Sequence, residues 1–173
     1  MNSLNDGARV DHPGTFKIIG IGQSLRGDDA AGLAAVNLWN QTYQSKIDRP
    51  GVEMELAELP GIGLLSLMEG ARVAILVDAV RSGAKPGTVH VVSENQIASF
   101  TAGSGSAHGW GVAETLSLGR KLMPASLPAI LILIGIEVSQ LNLGETLSPE
   151  VESALPEVAQ LIEQYLVTAL SEK

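Results

Sequence analysis

The sequence predicts an α/β protein in three layers, with helices on both faces of a five-stranded, mixed but mostly parallel sheet. Three observations carry this. Short apolar runs alternate with stretches of helical periodicity along most of the 173 residues, the pattern of strands joined by crossover helices. One run, Arg72 to Val80 (RVAILVDAV), is apolar at nearly every position, as a strand covered on both faces must be. The link after it, Ser82 to Gly87, is too short for a parallel crossover, which needs about a dozen residues or more. The fourth strand is therefore expected to run antiparallel to the rest.

The elements follow in order. Residues 1–14 are polar, end in His12-Pro13-Gly14, lack the apolar core of a secretory signal, and are expected to form a frayed leader before a single domain spanning 15–173. Thr15 to Ile21 (TFKIIGI) reads as a buried strand, followed by the Gly-rich turn Gly22 to Gly27. From Asp28 a helical pattern runs through Leu33, Val36, Trp39 and Tyr43 and must end before Arg49-Pro50-Gly51. Val52 to Leu59 (VEMELAEL) alternates apolar and acidic residues, as a strand with one wet face does. Pro60-Gly61 breaks it, and Leu64, Leu65, Leu67 and Met68 suit a short helix. After the apolar third strand comes a fourth, Thr88 to Ser93. The signal then fades from Glu94 to Gly111, and the Gly- and Ser-rich part Thr101 to Gly111 reads as a mobile loop. A helix is expected from Val112 to Met123 and a fifth strand from Ala129 to Glu137. Ser148-Pro149-Glu150 is a helix start, with Ser as cap and Pro at the first helical position. Pro156 is expected to interrupt that helix before it resumes to Leu170.

Composition narrows the chemistry. The apolar fraction of 45% against 17% charged residues excludes disorder and is enough for one substantial core. A net charge of −8 excludes a phosphate-backbone partner, which requires a basic footprint, and is compatible with a cationic one. No cysteine is present, which removes thiolate metal sites, disulfides and cysteine nucleophiles together. The longest apolar stretch, Ala129 to Ile136, is far short of a membrane span. A soluble, cytoplasmic chain without membrane or nucleic-acid partners is expected.

The acids are placed informatively. Ligands of open α/β sheets bind beyond the carboxyl ends of the parallel strands. Asp28 and Asp29 follow the first strand, Glu58 ends the second, and Asp78 closes the apolar run of the third. His108 lies in the Gly-rich loop, free of the apolar neighbours of a core histidine. Two carboxylates ~5 Å apart repel by ~3 kcal/mol at an effective dielectric of ~20. Acids gathered at one edge must therefore separate, share a proton or hold a cation. Carboxylate and imidazole donors without thiolate suit a divalent transition metal such as nickel, zinc or manganese. Structural readings stand beside these. Asp28 suits a helix cap and Asp29 the positive end of a helix dipole. Glu58 continues the wet face of Glu53 and Glu55. His90 alternates within a strand and reads as structural.

Other chemistries fit less well. Gly20-Ile21-Gly22 resembles the start of a dinucleotide fingerprint, but Leu25 stands where the third glycine is due. The His-Glu-x-x-His zinc-protease motif is absent. Ser24, Asp78 and His108 occur in the chain order of an α/β-hydrolase triad, with Ser24 at a strand-to-helix turn. The nucleophile elbow, however, requires Gly where Arg26 stands.

Gly20-Ile21-Gly22-Gln23-Ser24-Leu25-Arg26-Gly27-Asp28-Asp29-Ala30-Ala31-Gly32 resembles the first signature of the hydrogenase maturation endopeptidases, G-[IV]-G-N-x-L-x-x-D-[DE]-x-x-G. Val77-Asp78-Ala79-Val80 with Pro86-Gly87-Thr88 is similar to their second block, Ser106 to Gly111 to their histidine block, and Ile134 to Glu137 with Leu147 to Val151 to their closing pattern. Four blocks in order cover residues from about 16 to 170. Three departures are visible. Gln23 stands for the usual Asn, Asp29 for the Glu of some members, and Glu58-Leu59-Pro60-Gly61-Ile62-Gly63 for a common D-G-G-[TS]-x-G.

The resemblance implies an α/β/α sandwich with the fourth strand antiparallel. It also implies an endopeptidase that removes the C-terminal extension of a nickel–iron hydrogenase large-subunit precursor after nickel insertion. The family's nickel-contacting positions match Asp29, Asp78 and His108, and the nickel is implied to arrive with the substrate as its recognition element. Two alternatives remain: a metal-independent serine hydrolase using Ser24, and a non-catalytic nickel-binding maturation chaperone.

Overall fold

The computed structural model of the protein describes residues 15–46, 49–101 and 111–171. Five strands, β1 (Thr15–Gly22), β2 (Val52–Glu58), β3 (Ala71–Val80), β4 (Val89–Ser93) and β5 (Ile130–Glu137), form one sheet in the order β2-β1-β3-β5-β4. The pairs β1–β2, β1–β3 and β3–β5 are parallel, and β4 runs antiparallel to β5, as the short third link requires. The helices are α1 (Ala31–Thr42), α2 (Leu64–Met68), α3 (Glu94–Thr101), α4 (Val112–Leu122) and α5 (Pro149–Ser171).

Two cores lie on opposite faces of the sheet, and β3 feeds both. Val73, Ile75 and Val77 pack with α1 and α5 residues such as Val36, Trp39, Val158 and Ile162. Ala74 and Leu76 pack on the other side with Leu64, Met68, Ile97 and Leu116 from α2, α3 and α4. This is the two-sided burial that the unbroken apolar run demands. At the base of the first core, Glu163 accepts from Trp39 Nε1 at 3.1 Å and from Arg49 Nη1 at 2.8 Å and Nη2 at 2.5 Å, tying α5 to α1 and the chain beyond it.

Four expectations differ from the structure. The helical pattern read from Asp28 begins as a 3-10 turn, Gly27–Ala30, and becomes α-helix at Ala31. Asp28 makes no cap bond to its own helix; its carboxylate serves a distant loop instead, as described below. Glu94 to Thr101 is helix where no signal was visible. Among the described residues its inward face rests on buried Ile97 and partly buried Phe100, too few apolar positions to set a period among Asn95, Gln96 and Ser99. Tertiary contacts supply what the pattern lacks, with Arg120 pairing through Nε and Nη2 to Glu94 at 2.6 and 2.7 Å. Pro156 lies inside an unbroken α5. A helix-interior proline costs ~3 kcal/mol, and here burial of Val151, Ala154, Leu155, Val158, Ala159 and Ile162 on either side of it holds the helix together. The expected leader, 1–14, and most of the expected loop, 102–110, lie outside the described residues.

Candidate active site at the carboxyl edge of the sheet

Glycines bring the first acidic turn onto the strand ends. A β-carbon on Gly32 would stand 2.3 Å from the carbonyl oxygens of both Ile21 and Val77. One on Gly22 would stand 2.0 Å from the Asp29 carbonyl oxygen, and one on Gly20 2.7 Å from that of Gly32. All these neighbours are backbone and cannot yield, so the signature glycines set how closely α1 and its leading turn approach β1 and β3. The turn is closed by bonds from Gln23 N–H to Asp29 O (3.2 Å) and from Asp29 N–H to Arg26 O (3.1 Å). Asp29 is thereby buried at the edge, 4% exposed.

Asp78 reaches the same edge from β3. Ala74, Leu76 and Asp78 alternate onto the face covered by α2, α3 and α4. Burial, foremost, pushes the Asp78 carboxyl from its ordinary 3.8 up to about 7; the Ala79 N–H at 2.9 Å opposes that rise and the charge of Asp29 adds to it. Two electrostatically coupled carboxylates thus meet at this edge, Asp29 from the turn after β1 and Asp78 from near the end of β3.

Around this pair the two Asp28 carboxylate oxygens accept four bonds. Ser148 N–H lies at 2.6 Å, Ser148 Oγ at 3.0 Å, Gln140 N–H at 3.2 Å and Ser139 N–H at 3.3 Å. Asp28 is fully buried and locks the segment between β5 and α5 against the turn that carries Asp29. Glu137, at the end of β5, accepts from Ser82 N–H at 2.9 Å, from Ser82 Oγ at 2.7 Å and from Gly83 N–H at 3.0 Å, which pins the chain just beyond Asp78. Burial alone would raise its pKa, but the Ser82 and Gly83 donors together with His90 outweigh it and hold the carboxyl below the ordinary glutamate value. Neither anchoring role was visible in sequence. A carboxylate's donors, when they come from loops more than fifty residues away, leave no local signal.

The other expected residues fall as follows. Glu58 ends β2 beside Gly22 and its Oε1 accepts from Ser24 Oγ at 2.8 Å. Both side chains are exposed. Ser24 therefore points to the open flank of the edge, and among the described residues no imidazole bonds to it. Arg26, in the position an elbow glycine would need, extends its Nε to Leu141 O at 3.3 Å. His90 is structural, as expected from its place in a strand. Its Nε2 lies 3.3 Å from Glu137 Oε2 and 3.4 Å from Ser82 Oγ, and its ring packs against Phe100 with centroids 5.0 Å apart. Through Gly135 it is in register with Asp78. His108 and His12 lie outside the described residues, so the structure brings together Asp29 and Asp78 of the expected triad.

Carboxylate oxygens under mutual repulsion, one of them with a raised pKa, form a donor set suited to a divalent cation. Among the described residues no group of three or more acidic or histidine side chains is gathered for a metal. No helix among the described residues is long and apolar enough to cross a membrane.

Comparison with known proteins places this edge in context. A sequence model of the hydrogenase maturation protease family matches residues 59–165. The hydrogenase expression/formation protein HupM of Azotobacter chroococcum is 30% identical over 144 residues, covering 80% of this chain and 66% of that protein. The chain thus spans about two thirds of that curated relative's length. Among solved structures, the hydrogenase maturating endopeptidase HybD from Escherichia coli superposes with a TM-score of 0.79 at 26% identity, covering 90% of this chain and 93% of that one. The [NiFe] hydrogenase maturation protease HybD from Thermococcus kodakarensis gives 0.69 at 26% identity, covering 87% and 98%. A family match over more than half of the chain, together with a fold shared with solved maturation proteases, means that this chain belongs to the hydrogenase maturation protease family.

Proposed function

We propose that this chain is an endopeptidase that removes the C-terminal extension of a nickel–iron hydrogenase large-subunit precursor, with Asp29, Asp78 and His108 contacting the nickel that the precursor carries. The observation that carries the reading is the coupling of Asp29, in the turn after β1, to Asp78, near the end of β3, with Asp78 raised to about 7. An acid pair of this kind, with Asp29 buried and Asp78 partly so, disfavours its own ionisation and gains from a cation. Nickel is here part of the substrate. Once seated, it supplies charge neutralisation and orientation of the precursor against the edge.

Hydrolysis adds a water oxygen to the scissile carbonyl carbon, breaks the C–N bond, and leaves a new carboxylate and a protonated amine. A carboxylate at this edge, Asp29 or Glu58, takes the proton released by water. Holding the bond in place beside these groups supplies much of the acceleration. Cleavage detaches the tail, after which the mature large subunit is free to close over its metal and join its partner subunit.

The test is incubation of the purified chain with nickel-loaded and nickel-free precursor, followed by mass measurement of the products. Loss of the C-terminal peptide from the loaded precursor alone is expected, abolished by Asp78→Ala and by His108→Ala and retained by Ser24→Ala. Processing that ignores nickel and vanishes with Ser24→Ala would establish the serine-hydrolase alternative. Stable capture of the loaded precursor without any cleavage would establish the chaperone.

A further inference from the structure

Several of the most exposed apolar side chains crowd the same edge. Leu143 is 79% exposed, Leu25 70%, Ile62 58% and Leu59 49%. They stand in the three segments that follow β5, β1 and β2. Hydrogen bonds link these segments in sequence: Gly144 N–H to Leu25 O at 2.8 Å, Gly27 N–H to Glu145 O at 3.1 Å, Ser24 Oγ to Glu58 Oε1 at 2.8 Å, and Leu59 N–H to Gly22 O at 3.3 Å. The Asp28 carboxylate fastens the first two from below. These leucines are therefore carried on a rigid frame that also holds Asp29.

Leu59 sharpens the point. Its φ of 49° is left-handed, and it is the non-glycine residue with positive φ among the described residues. Such a conformation is unfavourable for a residue with a β-carbon, and a half-exposed leucine returns little burial for it. Strain and exposure together, next to a candidate active site, point to a use outside the fold itself.

We propose that Leu25, Leu59, Ile62 and Leu143 form a docking ridge on which the large-subunit precursor seats an apolar surface beside its scissile bond, a proposal that rests on the function proposed above. The ridge flanks Asp29, so whatever covers it also covers the acids. A second copy of this chain in that place would shut the site, whereas the substrate's own surface would bring the bond to it. The frame is tied by hydrogen bonds within the chain itself, and a preformed apolar surface loses little freedom on association.

The experiment measures KM and kcat for processing of nickel-loaded precursor by Leu25→Lys/Leu143→Lys, by the conservative Leu25→Met/Leu143→Met, and by Leu122→Lys. Leu122 is similarly exposed, at 69%, but ends α4 at the opposite end of the sheet. All side chains changed point to solvent, and circular dichroism checks that each variant is folded. The lysine pair is expected to raise KM at least tenfold with kcat within about twofold, while the methionine pair and Leu122→Lys stay near the unaltered chain. An unchanged KM in the lysine pair, or an equal rise in Leu122→Lys, would overturn the ridge. So would a dimer of the unaltered chain in sedimentation that the lysine pair dissolves without any change in KM. If the unaltered chain leaves loaded precursor uncleaved, it is the functional reading that fails; if it cleaves with KM indifferent to the lysines, the ridge alone fails.

Discussion

Gly32 at the start of α1 and Val77 in β3 touch so closely that a β-carbon on the first would lie 2.3 Å from the carbonyl oxygen of the second. The helix and the strand are in contact through bare backbone, and this contact sets where Asp29 stands relative to Asp78.

Gly32→Ala is expected to lower stability by ~3 kcal/mol or more and to abolish processing, because both the Val77 and Ile21 oxygens obstruct the new methyl and neither can move without its strand. Gly63→Ala is the matched control. A β-carbon there meets nothing within 4 Å, and its φ of −59° is ordinary for any residue. That change should be neutral or stabilising by up to ~1 kcal/mol. Urea denaturation of both variants checks the pair.

Asp78 makes the metal-free chain sensitive to pH. Its folded pKa of about 7 lies above the ordinary 3.8, so the folded state binds a proton more tightly than the unfolded chain does. The stability this confers is complete below pH ~4 and is lost as pH rises through ~7, on the order of 2–4 kcal/mol after allowance for solvent at the edge. Asp78→Asn removes the carboxylate, so its thermal midpoint should fall less between pH 5 and 8 than that of the unaltered chain. Parallel midpoint curves for the two proteins would show that the raised pKa is wrong.

Asp28→Asn is expected to be damaging although it is isosteric. Both Asp28 oxygens face donors, namely Ser148 N–H and Oγ and the N–H groups of Ser139 and Gln140. An amide would turn its own N–H groups on some of them. A loss of ~2–3 kcal/mol follows from the unsatisfied donors, with processing reduced because the turn carrying Asp29 loses its anchor. Removing the Ser148 hydroxyl in Ser148→Ala should cost less alone and add less than its full effect on top of Asp28→Asn. Additivity in that double-mutant cycle would mean that the two do not act through one contact.

Glu163→Ala separates stability from function. It leaves Trp39 Nε1 and the Arg49 guanidinium without their shared acceptor, at a cost of ~2–4 kcal/mol. The site lies at the other end of the sheet and kcat should be unchanged at a temperature where the variant is folded. Arg49 foremost holds the Glu163 carboxyl below its ordinary value, so the contribution is present above pH ~4.5 and fades as pH falls through the folded pKa. The difference in stability between the two proteins should therefore shrink in acid.

The strands, their order along the chain and the antiparallel fourth strand were legible before any coordinates, because apolar periodicity and link length are local quantities. So was the placing of Asp29 and Asp78 at one edge, since the carboxyl ends of parallel strands share an edge by construction. The partners of Asp28, Glu137 and His90, the helical state of α3 and the tolerance of Pro156 within α5 emerged only from the folded chain. Each of these rests on partners distant in the chain: donors from residues 139–148 for Asp28, the turn at Ser82 for Glu137 and His90, Arg120 for Glu94, and the packed face of α5 around its proline. Periodicity records which way a side chain faces but carries no record of which residue meets it there.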